Sequence, residues 1–220
     1  MASPPKEQGE LRYRVPAGQA ESKLVIKNSL FIGTVGRAPT VEAARAFIAQ
    51  LKERYSDANH NAWAFKITGG PQGAIGFSDD GEPGGTAGRP MLTVLEGSGL
   101  WQVVAVVTRY FGGIKLGTGG LVRAYSAAVR QALKELPTTE LVLHRLARLT
   151  LDYSLYNRLR NLLPQYRVKI DRETFTDKAT LDLAIPYERA EQLASLLREL
   201  SNGSILLNEL WYGQRYDTED

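Results

Sequence analysis

The apolar positions along the chain change period several times, and each change marks an element. Residues 13–34 read as strands, with Leu24, Ile26 and Leu30-Phe31-Ile32 as apolar positions and Asn28 near a turn. Behind Pro39-Thr40, the positions Ala44, Phe47, Ile48, Leu51 and Tyr55 recur at helical spacing, which predicts a helix capped by Thr40. Residues 61–68 form a strand with Trp63 and Phe65 on one face, residues 69–73 a hairpin turn, and residues 74–78 the returning strand. A short helix is expected over about residues 90–95. The continuous apolar run 103–108 reads as a buried strand, and Val122, Tyr125, Val129, Leu133 and Leu136 give a further helix. After Pro137 the order becomes strand 144–153, helix through Leu155, Leu159, Leu162 and Leu163, strand 166–174, strand 179–185, helix from Pro186-Tyr187 to Asn202-Gly203, and strand 204–211. That is β-α-β-β-α-β, the ferredoxin-like split unit.

A length of 220 residues with 43% hydrophobic and 23% charged positions suits one large or two small globular domains. The expected layout is a disordered tail at 1–10, a first domain at 11–137, a linker at 138–143, a ferredoxin-like domain at 144–213 and a tail at 214–220. No apolar run reaches membrane-span length and residues 1–10 lack an apolar signal segment, so a cytoplasmic location without membrane contact is the default expectation. The absence of cysteine excludes disulfides and thiol nucleophiles, and two histidines exclude a histidine-rich metal site. The net charge of +3 conceals an asymmetry, with +5 over residues 1–139 and −2 over residues 140–220. A basic partner-binding surface is therefore expected in the first part of the chain.

The candidate chemistry concentrates in residues 108–136. A strand leads into Gly112-Gly113-Ile114-Lys115-Leu116-Gly117-Thr118-Gly119-Gly120, and a helix follows. Strand, glycine-rich turn and helix start together present free backbone N–H groups and the positive end of a helix dipole, with Thr118 as the expected cap. Such a place suits a phosphate or carboxylate. Thr118 stands where a P-loop needs lysine, and Val122 where a dinucleotide fingerprint needs glycine, so neither motif is present. The glycines by themselves equally well serve tight turns. From Gly97 to Lys134 there is no acidic residue, while Arg109, Lys115, Arg123, Arg130 and Lys134 fall in that span. Arg123, Arg130 and Lys134 share one helical stripe, and Tyr110 beside Arg109 offers a ring on which a base could stack. A second polar stretch holds Asp79, Asp80, Glu82, Thr86 and Arg89. Its carboxylates could hold a magnesium ion, but an acidic turn that caps backbone amides or pairs with Arg89 or Arg109 is the simpler reading. His60 would serve as a general base only if it faced these acids, and no nucleophile accompanies it.

Residues 77–92, FSDDGEPGGTAGRPML, and residues 106–125, VVTRYFGGIKLGTGGLVRAY, closely resemble signature segments of the IMPACT/YigZ family. Asp57-Ala58-Asn59-His60 followed by Trp63-Ala64 fits the same pattern, and the layout resembles the bacterial YigZ type. Members often carry cysteine just after the histidine; Asn61-Ala62 stand there in this chain, which removes any thiol role. The resemblance implies an α+β protein. Its first domain would be a four-stranded sheet with helices on one face, like domain IV of elongation factor G, and its second would be like domain V. It further implies a noncatalytic RNA- or ribosome-associated protein, with a role in regulating translation and no cofactor. A protein-interaction module for a translation or stress regulator stays open beside it. So does an enzyme on a phosphorylated or nucleotide substrate, which requires the two motifs to meet in space.

Overall fold

The computed structural model describes residues 11–67 and 73–218. The chain divides into two compact units, residues 13–140 and residues 141–218 with 11 and 12. Both are α+β. The tail expected at 1–10, and the hairpin turn expected at 69–73 apart from Gly73, lie outside the described residues.

In the first unit β1 (Arg12–Pro16) is followed by β2 (Ala20–Ile26), β3 (Ser29–Arg37) and helix α1 (Val41–Arg54), which Thr40 caps as expected by accepting from the Ala43 amide at 3.1 Å. Then come β4 (His60–Ile67), β5 (Ala74–Ser78), α2 (Gly88–Gly97), β6 (Val103–Tyr110) and α3 (Thr118–Glu135). The sheet has five strands in the order β2-β3-β6-β4-β5, one more than the four expected, because the β4–β5 hairpin joins it. Helices also cover both faces rather than one. On one face Val104 and Val106 of β6 pack with Phe65 and Ile67 of β4 under Ala44, Ile48 and Leu51 of α1. On the other, Val103, Ala105 and Val107 pack under α2 and α3. Burial on both faces explains why β6 reads as an unbroken apolar run instead of alternating.

Helix α3 buries Tyr125 and Val129 of the expected stripe, and Leu136 just beyond the helix end is buried too, but not the whole of that stripe. Ala124, Ala128 and Ala132 are buried along with Leu121, Tyr125 and Val129, whereas Val122 and Leu133 are only half-buried. The reason is close approach of the helix to β3. A Cβ on Gly33 would stand 2.7 Å from the Ala128 carbonyl oxygen, and Ser22 Oγ donates to that same oxygen at 2.8 Å. Only small residues fit so near the sheet.

The second unit contains β7 (Thr138–Leu151), α4 (Tyr153–Leu162), β8 (Lys169–Phe175), β9 (Ala179–Pro186), α5 (Ala190–Leu200) and β10 (Trp211–Thr218). Its strands run β10-β7-β9-β8, each pair antiparallel, over a core of Leu149, Leu159, Leu181, Leu183, Leu193 and Leu197. This is the ferredoxin-like order. Residues 138–143, expected as a linker, are the first part of the long strand β7. The last strand begins at Trp211, not near Ser204, because a 3-10 turn at Leu207–Glu209 occupies the middle of the expected stretch. Residues 214–218, expected as a tail, pair with residues 141–145 of β7. Among the described residues, no helix is long and apolar enough to cross a membrane.

Two glycine substitutions separate close packing from open space. Gly33→Ala is expected to cost about 1–3 kcal/mol by overpacking against α3. Gly97→Ala, where nothing lies within 4 Å of the new Cβ, is expected to be neutral or to stabilise by about 0.5–1 kcal/mol. Urea midpoints at matched slope check both.

Candidate anion-binding site

The acidic loop between β5 and α2 is held by its own carboxylates. Asp79 accepts from the amides of Gly85, Ala87 and Gly88 at 2.8, 2.9 and 2.8 Å, which closes the loop and satisfies the start of α2. Burial pushes the Asp79 carboxyl up, but those three N–H groups more than offset it and its pKa lies below the ordinary value. Asp80 accepts from the Asn61 amide at 2.7 Å and from Lys52 Nζ. Its pKa is likewise lowered, against the effect of burial, by those two donors. Thr86 donates to the Pro83 carbonyl at 2.7 Å. Asp79, Asp80 and Thr86 thus build the loop and do not line a site. Among the described residues, no group of three or more His, Asp or Glu is placed to hold a metal ion.

With the loop so pinned, Glu82 turns inward and is buried. Its Oε1 accepts from Arg109 Nη1 of β6 and from the Tyr125 hydroxyl of α3, each at 2.7 Å. Burial, and then the neighbouring carboxylate, hold the Tyr125 phenol far above its usual range, so it remains a hydrogen-bond donor. The Arg109 guanidinium lies 5.4 Å from the ring centres of both Phe31 and Phe111. His60 Nδ1 is 2.8 Å from the Asp80 carbonyl oxygen. A carbonyl only accepts, so Nδ1 carries a proton, and Nε2, 4.0 Å from Glu82 Oε1, is the acceptor of the ring in its neutral form.

These groups form one wall of a pocket of about 470 Å³ in the first unit, with Asn59, His60, Glu82 and Arg109 together. Pro83, Phe111, Leu116 and Leu121 add apolar lining, and Lys115, Gly117 and Thr118 complete it. Gly117, not Thr118, is the N-cap of α3, with a φ of 74° that glycine adopts without strain. The first helical bond is Leu121 N–H to Gly117 O at 2.9 Å. The N–H groups of Thr118, Gly119 and Gly120 precede it and show no acceptor among the described residues. Arg123 leans back over this end, since its Nη1 would lie 3.5 Å from a Cβ on Gly119. Gly112 has a packing role instead, because a Cβ there would come within 2.1 Å of the Asn28 backbone.

The structure therefore brings His60, Glu82, Arg109, Lys115, Gly117 and Thr118 into one pocket, with Gly119, Gly120 and Arg123 beside it. The two sequence motifs do meet. Tyr110 does not join them: neighbours on a strand face opposite ways, and its hydroxyl donates to Asp57 at 2.7 Å. Arg130 and Lys134 are exposed further along α3, and Arg89 lies over the Phe77 ring at 5.9 Å, outside the pocket. Arg109 sits in the pocket as the partner of Glu82 rather than as a free cation. Asn59, Pro83 and Phe111 were not expected in the site from the sequence, and Tyr125 was expected as core alone. Phe111, an apolar residue between a strand end and a double glycine, was the one visible signal among them.

The family model described as the Impact N-terminal domain matches residues 27–133, and that of a domain of unknown function, DUF1949, matches residues 149–204. An IMPACT family member of Haemophilus influenzae is 41% identical over 204 residues, covering 92% of this chain and 98% of its own. The chain belongs to the IMPACT family. Its relative in Escherichia coli, the IMPACT family member YigZ, is 39% identical over 89% of this chain and 96% of that one. The crystal structure of a hypothetical protein, 36% identical, covers 95% of this chain and 98% of its own with a TM-score of 0.62. A two-domain translational regulator, Yih1, is a looser match at 25% identity, 60% and 49% coverage and a TM-score of 0.34. In this IMPACT chain the pocket residues all fall within the first matched segment.

Glu82→Ala is expected to destabilise the protein by about 3–5 kcal/mol, because it strands a buried guanidinium. Glu82→Leu with Arg109→Met is expected to recover most of that loss in a urea double-mutant cycle. Asp79, with its folded pKa depressed, contributes stability that is complete above the ordinary carboxylate range and is lost as pH falls through the lowered value. Acid unfolding below about pH 4 should accordingly be less steep in Asp79→Asn than in the parent protein.

Proposed function

We propose that this chain is a noncatalytic RNA- or ribosome-associated protein acting in translational control, and that the pocket at the start of α3 receives a phosphate group. One observation carries the reading: three helix-start N–H groups, Thr118 to Gly120, lie at a pocket that Lys115 lines, and Arg123 approaches the same helix start at Gly119. Aligned N–H groups at the positive end of an 18-residue helix favour an anion, and phosphate above others. The exposed cations Arg130 and Lys134 extend the positive field along the helix. The supporting charge is local, since the first part of the chain carries +5 and the remainder −2.

A second reading has its own support. His60 shares the pocket with Glu82, and in its neutral form its Nε2 is positioned as a base for chemistry on a small phosphorylated substrate. His60→Gln separates the two, since it removes such a base and leaves the phosphate seat intact.

The RNA reading is tested by filter binding of RNA across a salt series. Lys115→Ala and Arg123→Ala are each expected to weaken binding and to lower the slope of log K against log salt by about one for each phosphate no longer neutralised. Unchanged retention of the double variant counts against the reading. A partner from cells that survives nuclease treatment and is lost on Arg123→Glu would move the function to a protein interface. Arg109→Ala is a poor probe, since it leaves Glu82 buried without its guanidinium.

A further inference from the structure

We infer that the pocket takes a single nucleoside monophosphate unit, free or as the phosphorylated end of an RNA, with its phosphate at the start of α3 and its base against Phe111. This rests on the phosphate reading above and adds the rest of the ligand to it.

Size is the first argument. A volume of about 470 Å³ suits a small molecule. Proteins that track the interior of a single strand instead use grooves spanning about 4–16 nucleotides. A pocket with room for about one nucleotide fits an end or a monomer better than the middle of a chain.

The second argument is that the pocket has two chemistries. Lys115, Gly117 and Thr118 offer charge and backbone donors, whereas Pro83, Leu116 and Leu121 are apolar. Inorganic phosphate would leave these apolar residues uncovered. Phe111 also lines the pocket and is 45% exposed, with the Arg109 guanidinium 5.4 Å from its ring centre. Its amide is tied to Asn59 Oδ1 at 2.7 Å, which holds the backbone that carries the ring. An exposed ring on a fixed backbone is a stacking surface for a base.

A third observation is independent of the helix start. Arg109 lines the pocket with only 7% of its side chain exposed, and its buried Nε has no hydrogen-bond partner among the described residues. An orphaned buried donor in a pocket wall marks a place where an acceptor is wanted. His60 also lines the pocket, and Nε2 of its neutral ring offers the opposite, an acceptor suited to a ribose hydroxyl or an exocyclic amine.

The test is an NMR titration of the full chain with AMP, adenosine and inorganic phosphate, followed by competition against AMP with two oligoadenylates of equal length, one 5′-phosphorylated and one 5′-hydroxyl. AMP is expected to shift the amides of Thr118 to Gly120 and to bind at least about tenfold more tightly than adenosine or inorganic phosphate. Phe111→Ala should weaken AMP about tenfold and leave inorganic phosphate unchanged, while Lys115→Ala weakens both. Competition by the phosphorylated oligonucleotide alone identifies an RNA end as the source; binding of AMP without such competition identifies the free nucleotide. The inference is overturned if AMP binds no better than inorganic phosphate, if Phe111→Ala has no effect on AMP, or if a phosphoserine peptide matches AMP. Equal competition by both oligonucleotides overturns it as well, but leaves RNA association standing. Binding of AMP with no RNA bound at any salt would do the reverse.

Discussion

A carboxylate largely removed from water must be met by donors, and Glu82 is such a carboxylate. Its two donors come from different elements, Arg109 at the end of β6 and Tyr125 about two turns into α3. The bond to Arg109 ties the acidic loop to the central strand, and the bond to Tyr125 ties it to the helix whose start forms the pocket. Removing either partner would leave an uncompensated polar group, so the three elements are locked to one another. The same interaction consumes the charge of Arg109. Attraction for an outside anion then falls to Lys115, Arg123 and the helix-start amides.

The other acids of the loop act in the same direction. Asp79 is committed to three amides at the start of α2, and Asp80 to Lys52 and the Asn61 amide. Of the three helix starts in this unit, α1 is capped by Thr40 and α2 is met by the Asp79 carboxylate, whereas the N–H groups at the start of α3 show no acceptor among the described residues. That difference gives the pocket its polarity. An acidic loop lies next to it, yet two of the three loop carboxylates face backbone and the third faces Arg109 and Tyr125.

The second unit disposes of its charges differently. Arg148 is paired with Asp182, whose pKa is lowered chiefly by that bond, and Arg215 makes two bonds to Asp171 at 2.8 and 2.7 Å. Arg145, Arg160 and Lys178 are likewise paired with acids of the same unit, in keeping with the net −2 of that part of the chain. The ferredoxin-like order accounts for its stability without giving it a site, because a fold alone does not specify chemistry.

Much of this was legible in the residues alone. Period and turn chemistry set out the elements, including βαββαβ, because each depends on neighbours a few positions apart. The glycine-rich helix start was legible for the same reason, as was the basic character of residues 97–134. Both motifs stood out, and the family resemblance they carried holds. Tertiary structure decided the rest. Residues 138–143 became strand because a partner strand was available, and the helices went to both faces of the first sheet because β6 is apolar on both. Arg109 turned to the pocket and Tyr110 away from it once the sheet had assigned its faces. The Glu82 contacts span 27 and 43 residues of sequence. No local pattern encodes such a pairing, since only the folded sheet and helix bring those side chains within reach of one another.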